Sequence, residues 1–366
     1  MTQVDAAEAG EECAVRQDTG AGLSTGVRTG TWRTRVRRAL HCATRPGPWQ
    51  RGLVLAALAV LLGLLMLLHA RITDRRGLGS LVETFLPWFG LFVPVLLAGA
   101  LWRRSASALV ALLLPVTVWL SLFGGLLTDK SRPGGDLTVV GHNVGAGNPD
   151  PAGTVRDLAA STADVLALEE ISEQAKPLYE KGLAKAYPYH VVRGTVGLWS
   201  KLPLSDTRPV DIETDYGPLA ATEPVGRTMA DNRALRATVA TDQGPLAVYV
   251  AHLGSVRVVP GDGFGTGTRD RNAAALAKAV AAEPNERMVL LGDLNGTTDD
   301  RALDGLTARL DSAQERAGNG FGYSWPASFP VARIDQILVR GVEPTSAWVL
   351  PATGSDHLPV AARISW

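Results

Sequence analysis

Cysteine is almost missing from this chain. Its two examples, Cys13 and Cys42, precede the first long apolar run, and beyond residue 127 sulfur occurs only in Met229 and Met288. A disulfide framework and a cysteine-based zinc site are thereby excluded. An excess of one charge is missing too: Lys plus Arg and Asp plus Glu both number 36, for a net charge of zero. Nucleic-acid-binding chains usually carry a basic footprint, so composition supplies no global attraction for a polyanion. Internal repeats are absent, and low-complexity tracts are absent after residue 30.

Hydrophobic runs are what the chain has, and they are concentrated. Residues 1–30 are Gly, Ala, Thr, Glu and Asp with few large apolar side chains, a composition expected to be disordered. Arg33, Arg35, Arg37, Arg38, Arg45 and Arg51 follow with no acidic residue among them, which reads as the cytoplasmic flank of a membrane helix. Three uncharged segments come next: Leu53 to Ala70, Phe85 to Leu101 with Pro87 and Pro94, and Ala106 to Leu127. The first is long enough to cross about 30 Å of hydrocarbon at about 1.5 Å per residue. It starts too far in, and has too many spans after it, for a cleaved signal peptide. Trp102 and Trp119 are available for interfacial placement. Arginines favour the N-terminal flank and the Arg103-Arg104 loop over the Arg71, Arg75, Arg76 loop and the Lys130-Arg132 exit. The expected topology is therefore a multi-pass cell-membrane protein with a cytoplasmic N-terminus and an extracytoplasmic C-terminal domain. The expected units are 1–51 (disordered, basic), 52–128 (three transmembrane helices) and 137–366 (catalytic domain), with a short linker over 131–136.

From Leu137 the pattern changes to β-branched strands alternating with Ala/Leu-rich helices. Leu137 to Val140, Ala247 to Val250, Met288 to Leu291 and Ile337 to Val339 read as buried strands, and Val155 to Ala163 and Arg269 to Ala282 as helices. Polar tips follow or interrupt these apolar runs. Asn143 follows a strand and alone would be a turn former. Glu169 and Glu170 are paired carboxylates at a strand end, costly unless a cation neutralises them, which makes either a candidate hard-metal ligand. His252 ends the Leu246–Ala251 run; His41, His69, His142 and His190 have no comparable setting. In Gly292-Asp293-Leu294-Asn295 two short polar side chains point the same way across a leucine. Adjacent Asp356 and His357 cannot share one face, so each needs its own partner: a metal for Asp356, and a carboxylate such as Asp335 for His357. Carboxylates, amides and imidazoles gathered this way suit divalent-metal and acid–base chemistry on a phosphate ester.

The ordered set resembles the endonuclease/exonuclease/phosphatase (DNase I-like) superfamily over residues 137–366. The motifs are Asn143, Asp164…Glu170, Gly197-Leu-Trp-Ser-Lys-Leu-Pro203, His252-Leu253, Gly292-Asp-Leu-Asn295, Arg333-Ile-Asp335 and Ser355-Asp-His357. Three positions depart from its pattern: Glu169 stands where Gln is usual, Lys201 where Arg is common, and Gln336 where an aromatic is common. The resemblance implies an α/β fold, a four-layer α/β sandwich, here preceded by three transmembrane helices. It implies a Mg²⁺ cofactor, with Mn²⁺ as the alternative, on Glu170, Asn143 and Asp356. Asp335 would orient His357, Asp293 would position or deprotonate the water, and Asn295 and His252 would bind phosphate. Arg233 or Arg236 could add a positive substrate contact, and the two imidazoles would be donors with pKa values near working pH.

The bond type follows from the family and the substrate from the membrane region, since a bilayer tether raises the local concentration of a lipid-linked phosphate. Three spans followed by such a domain also resemble the VanJ-type membrane proteins linked to teicoplanin resistance, which implies undecaprenyl pyrophosphate or another phospholipid as substrate. The expected partners are therefore the bilayer and its lipid phosphate, with no obligate protein partner. A membrane-anchored nuclease or phosphodiesterase acting on DNA or RNA is the alternative, and an inactive phosphate-binding sensor domain the third reading. The loop from Gly254 to Arg269 is expected to be mobile and near the site.

Overall fold

Alternation along each strand explains the layers. In the computed structural model, residues 47–212, 233–259 and 263–366 are described; the expected disordered segment 1–30 and most of the basic run lie outside them. The strands are β1 (Leu137–Asn143), β2 (Val165–Glu169), β3 (Tyr189–Arg193), β4 (Val196–Ser200), β5 (Leu204–Pro209), β6 (Ala234–Thr241) and β7 (Gly244–Ala251). They continue as β8 (Arg257–Val259), β9 (Gly263–Gly265), β10 (Met288–Asp293), β11 (Asp311–Ser312), β12 (Asp335–Arg340), β13 (Glu343–Val349) and β14 (Val360–Ser365). Two six-stranded sheets result, ordered β13-β14-β1-β2-β4-β3 and β11-β12-β10-β7-β6-β5. Val139, Ala167, Val289 and Leu291 point into the core between the sheets. Their neighbours Val140, Leu166 and Leu168 point outward, onto Leu158 and Leu183. On the second sheet Leu290 points outward onto Leu276 and Leu306. A period of two thus gives every central strand two apolar faces, and helices must cover the outer ones.

The helices are α1 (Leu53–Leu67), α2 (Leu78–Thr84), α3 (Phe92–Trp102), α4 (Ala106–Ala111), α5 (Leu113–Phe123), α6 (Pro151–Ala160), α7 (Lys176–Leu183), α8 (Gly267–Ala281), α9 (Asp304–Thr307) and α10 (Ala313–Ala317). Helices α6 and α7 cover the first sheet, and α8 and α9 the second, completing the four-layer sandwich. Helix α6 starts four residues before the expected Val155. Asp150 caps it by accepting from Gly153 N at 2.8 Å, and Pro151 sits in the first turn, where its missing N–H costs nothing. The central strands β1 and β10 each have a parallel neighbour, β2 and β7 respectively.

The apolar region departs from three uninterrupted spans. Among the described residues one helical run, Ala106–Leu127, is long and apolar enough to cross a membrane. Arg75–Thr84 and Leu86–Trp102 form a pair bent by 64°, with Pro87 at the start of the second piece. Helix α1 has 15 residues, about 22 Å at 1.5 Å each, before a 3₁₀ turn at His69–Arg71 takes over. At one end of the bundle Ala106 N donates to Pro48 O at 3.0 Å and Ser105 donates to Arg51 O.

The other end is locked onto the sandwich. Buried Glu83 takes Arg301 at 2.6 and 3.0 Å, and Arg301 also donates to His69 O and Ile72 O. Ser80 donates to Asp300 at 2.5 Å. Gly77 has φ +71, and a Cβ there would lie 1.9 Å from Phe264 O in β9, so only glycine permits this approach. Arg301→Ala would strand the Glu83 carboxylate. It is expected to cost about 3–5 kcal/mol, read as a lowered melting temperature of the full chain in detergent. A loss under about 1 kcal/mol would show that the contact contributes nothing.

Candidate active site

Central strands β1 and β10 end at the same rim of the sandwich, on Asn143 and Asp293. Asn143 Nδ2 donates to Asp293 Oδ2 at 3.0 Å, linking the two sheets. Its Oδ1 accepts from Gly145 N at 3.0 Å. Asp335 opens β12 directly opposite Asp293 in the antiparallel register. Like charges placed opposite each other on a sheet repel, so this pair demands a compensating cation. His357 supplies one: its Nδ1 lies 2.9 Å from Asp335 Oδ2, and its Nε2 lies 3.8 Å from Asp293 Oδ2. Burial pushes the His357 imidazole down, but Asp335 and then Asp293 raise it further, leaving it at about 9. Burial and the Asp335 charge push Asp293 up to about 7, with His357 and the Asn143 hydrogen bond acting against them.

Glu170 leaves β2 in the left-handed region at φ 57, and Asn295 follows β10 at φ 48. Neither is glycine, and strained backbone of this kind persists where the surrounding structure fixes it. The Glu170 turn sends Oε2 to Ala146 N at 3.0 Å and leaves Oε1 3.4 Å from His252 Nε2. Asn295 N donates to Asp293 Oδ1 at 2.9 Å, and its Nδ2 donates to Leu253 O at 3.1 Å. Gly292 permits this crossing: a Cβ there would sit 1.8 Å from Ala251 O.

Most of the residues singled out in the sequence converge here, with several corrections. Arg236 does not. It is buried on the far side of β6, paired with Glu283 at 2.9 Å and Asp206 at 2.5 Å, because a guanidinium facing outward under α8 must be neutralised there. Arg233 does reach the site, its Nη2 lying 2.8 Å from His252 Nε2. His252 is consequently no cationic phosphate donor. Burial, then the charges of Arg233 and His357, hold its pKa well below the ordinary value, so it is neutral and Nε2 accepts from Arg233. His357, at about 9, is cationic at neutral pH, so neither imidazole sits near working pH. Of the metal ligands expected, Asn143 and Glu170 stand at this rim; beside them, among the described residues, Asp293, Asp335 and His357 bring ligand atoms within 4.8 Å of one another. Asp356 is exposed at the edge and accepts from Trp325 Nε1 at 3.4 Å. The Gly254–Arg269 loop is partly structured as the β8–β9 hairpin, and Arg269 at its end is buried.

Three contributors had no motif in the sequence. Ser324 Oγ donates to Asp335 Oδ2 at 2.6 Å and Trp325 packs 6.5 Å from the His357 ring. Arg269 donates to Asn295 O at 3.1 Å, to Asp300 at 2.7 Å and to Ser80 at 3.0 Å. Glu169 is wholly buried with both carboxylate oxygens unpartnered. Burial and the charges of Asp335, Asp293 and Glu170 raise its pKa well above 4.5. Carried as the neutral acid, it is nearly isosteric with the glutamine that the family resemblance led one to expect. A raised acid makes the fold less stable as pH climbs above 4.5 toward the folded pKa. In chelator, Glu169→Gln is therefore expected to raise the melting temperature more at about pH 8 than at about pH 5. Equal gains at both would contradict a buried neutral acid.

The sequence over residues 140–357 matches the model of the endonuclease/exonuclease/phosphatase family. The chain belongs to the endonuclease/exonuclease/phosphatase family. Members of this family are metal-dependent phosphoesterases or nucleases, and this chain is accordingly a metal-dependent phosphoric ester hydrolase. Humanized D. rerio TDP2 has 20% identity with it, covering 63% of this chain and 99% of that one, at a TM-score of 0.50. Beta toxin from Staphylococcus aureus with bound magnesium ions has 17% identity, covering 62% and 99%, at a TM-score of 0.47. Mannosyl-6-phosphatase from Bacteroides thetaiotaomicron has 14% identity, covering 63% and 100%, at a TM-score of 0.47. No curated protein matches this chain. The family's divalent cation fits the site: opposed Asp293 and Asp335 and the nearby Glu170 offer hard oxygen donors around buried, mutually repelling charge.

Proposed function

We propose that this family member is a membrane-anchored, Mg²⁺-dependent phosphatase acting on a lipid-linked phosphate such as undecaprenyl pyrophosphate. The supporting observation is that the catalytic rim and the apolar helices share one wall. Trp88, at the bend before α3, stacks on Tyr323 at 5.5 Å, and its Nε1 donates to Val331 O at 2.8 Å. The segment so held runs from Tyr323 through Ser324, bonded to Asp335, to Trp325, beside His357. Three crossings by α1, Leu86–Trp102 and Ala106–Leu127 would put residues 48–51 and 103–105 on the cytoplasmic side. Residues 69–84 and the sandwich would then lie outside.

Glu170, with Asn143 Oδ1, would hold the cation, and Asp356 would stand at the entry. When bound, Mg²⁺ supplies Lewis-acid neutralisation of charge that spreads from an in-line displacement. Asp293, near neutrality, is placed to orient and deprotonate the attacking water. His357, cationic and held by Asp335, donates from Nε2 to the phosphoryl oxygens. Arg233, carried by neutral His252, supplies the fixed positive charge that Arg236 cannot.

The test is release of phosphate by the full chain in detergent with Mg²⁺, from prenyl pyrophosphate and glycerophospholipid, beside DNA and RNA. Lipid-phosphate hydrolysis that chelator abolishes is the expected result. Cleavage of nucleic acid alone, with steep salt inhibition, would replace this reading by the nuclease. Binding of lipid phosphate without turnover in Mg²⁺ would replace it by the sensor.

A further inference from the structure

Between the bent helix and the sandwich lies a cavity of about 510 Å³. Its walls include Trp88 and Leu91 from the bend, Trp119 and Leu120 from α5, and Phe321 and Tyr323 from the catalytic side. The aromatic walls are continuous: Trp88 stacks on Tyr323, Tyr323 on Phe321 at 5.3 Å, and Phe321 meets Trp119 at 6.3 Å. No charged residue lines it. Both indole N–H groups are already used, Trp88 Nε1 on Val331 O and Trp119 Nε1 on Pro87 O, each at 2.8 Å. The space therefore offers apolar faces and no unused indole donor, which suits hydrocarbon and rejects a headgroup. Its volume falls within the range of about 300–1,000 Å³ typical of sites that enclose a small molecule.

Position gives the cavity its meaning. Tyr323 forms its wall, and two residues on Trp325 packs beside His357 and bonds Asp356. The cavity thus continues the helix–sandwich interface up to the segment that flanks the catalytic group. We propose that it takes the hydrocarbon chain of the substrate lipid, seating the chain so that its terminal phosphate enters among Glu170, Asp293 and His357. This rests on the lipid-phosphate reading above. The chain is already out of water in the bilayer, so the cavity selects it by shape and close packing against the aromatic walls, which a longer chain fills and a shorter one leaves partly empty.

The experiment compares a short-chain and a long-chain prenyl phosphate in the same mixed micelles, using the full chain with Mg²⁺. Wild type is expected to show a kcat/KM at least about tenfold higher for the long chain. Leu120→Trp, at a half-exposed position with room toward the lipid side, narrows the cavity and is expected to cut that ratio about tenfold. A wild-type ratio near one, or a ratio unchanged in Leu120→Trp, overturns the chain site while lipid-phosphate hydrolysis stands. Hydrolysis of nucleic acid and of neither prenyl phosphate overturns the reading of the active site itself, and the chain site with it.

Discussion

Asp293→Asn is expected to lower kcat by about a thousandfold or more, roughly 4 kcal/mol of barrier, with KM changed only a few-fold. The amide keeps the shape of the carboxylate but cannot take a proton from water. The same substitution is expected to stabilise the fold. Asp293 is buried opposite Asp335, and its pKa stands at about 7 against an ordinary 3.8. A raised acid costs stability as pH rises from the ordinary value, and the cost is complete above about 7. In chelator at about pH 8 the variant should therefore gain about 1 kcal/mol or more, and little at about pH 4. Loss of activity with gain of stability separates a working group from a structural one. Retention of more than about a tenth of wild-type kcat would remove Asp293 from the chemistry.

Asp335→Asn is expected to move the alkaline limb of activity. In wild type His357 is held at about 9 because the carboxylates outweigh burial, so the cation persists to alkaline pH. Its stabilising pairing is fully present below 6.5 and lost as pH climbs through 9. Without the Asp335 charge burial dominates, and the imidazole drops toward or below its ordinary value. At about pH 8 the variant should lose about 10²–10³ in kcat/KM, and combining it with His357→Ala should add little further. An alkaline limb that stays in place would show that His357 does not act as a cation.

The catalytic half of the chain was legible because its chemistry coincides with strand ends. Apolar runs such as Met288–Leu291 announce a buried strand, and Asp293 two residues later can only lie at its tip. Asp335 behind His357 was likewise readable, since adjacent Asp and His demand separate partners. Arg236 misled because an arginine inside a strand carries no sign of which face it takes; β6 turns it toward Glu283. Ser324, Trp325 and Arg269 carry no periodic signal, and only tertiary packing brings them to Asp335, His357 and Asn295. The breaks in the apolar region were not legible for a related reason. Hydropathy counts length, whereas the bend near Pro87 and the polar contacts of Ser80 and Glu83 with Asp300 and Arg301 decide where the helix stops.

The contact of Ser80 with Asp300 and Arg269 has a consequence for how such an enzyme would sample a bilayer. A domain on a flexible linker sweeps a volume, and its local substrate concentration follows from linker length. Here Glu83, Gly77 and Trp88 clamp the sandwich directly to the turn between helices, so the leash has almost no slack. The active site would ride at one fixed depth and tilt. Lateral diffusion of the lipid, and not motion of the domain, would then bring each phosphate to it.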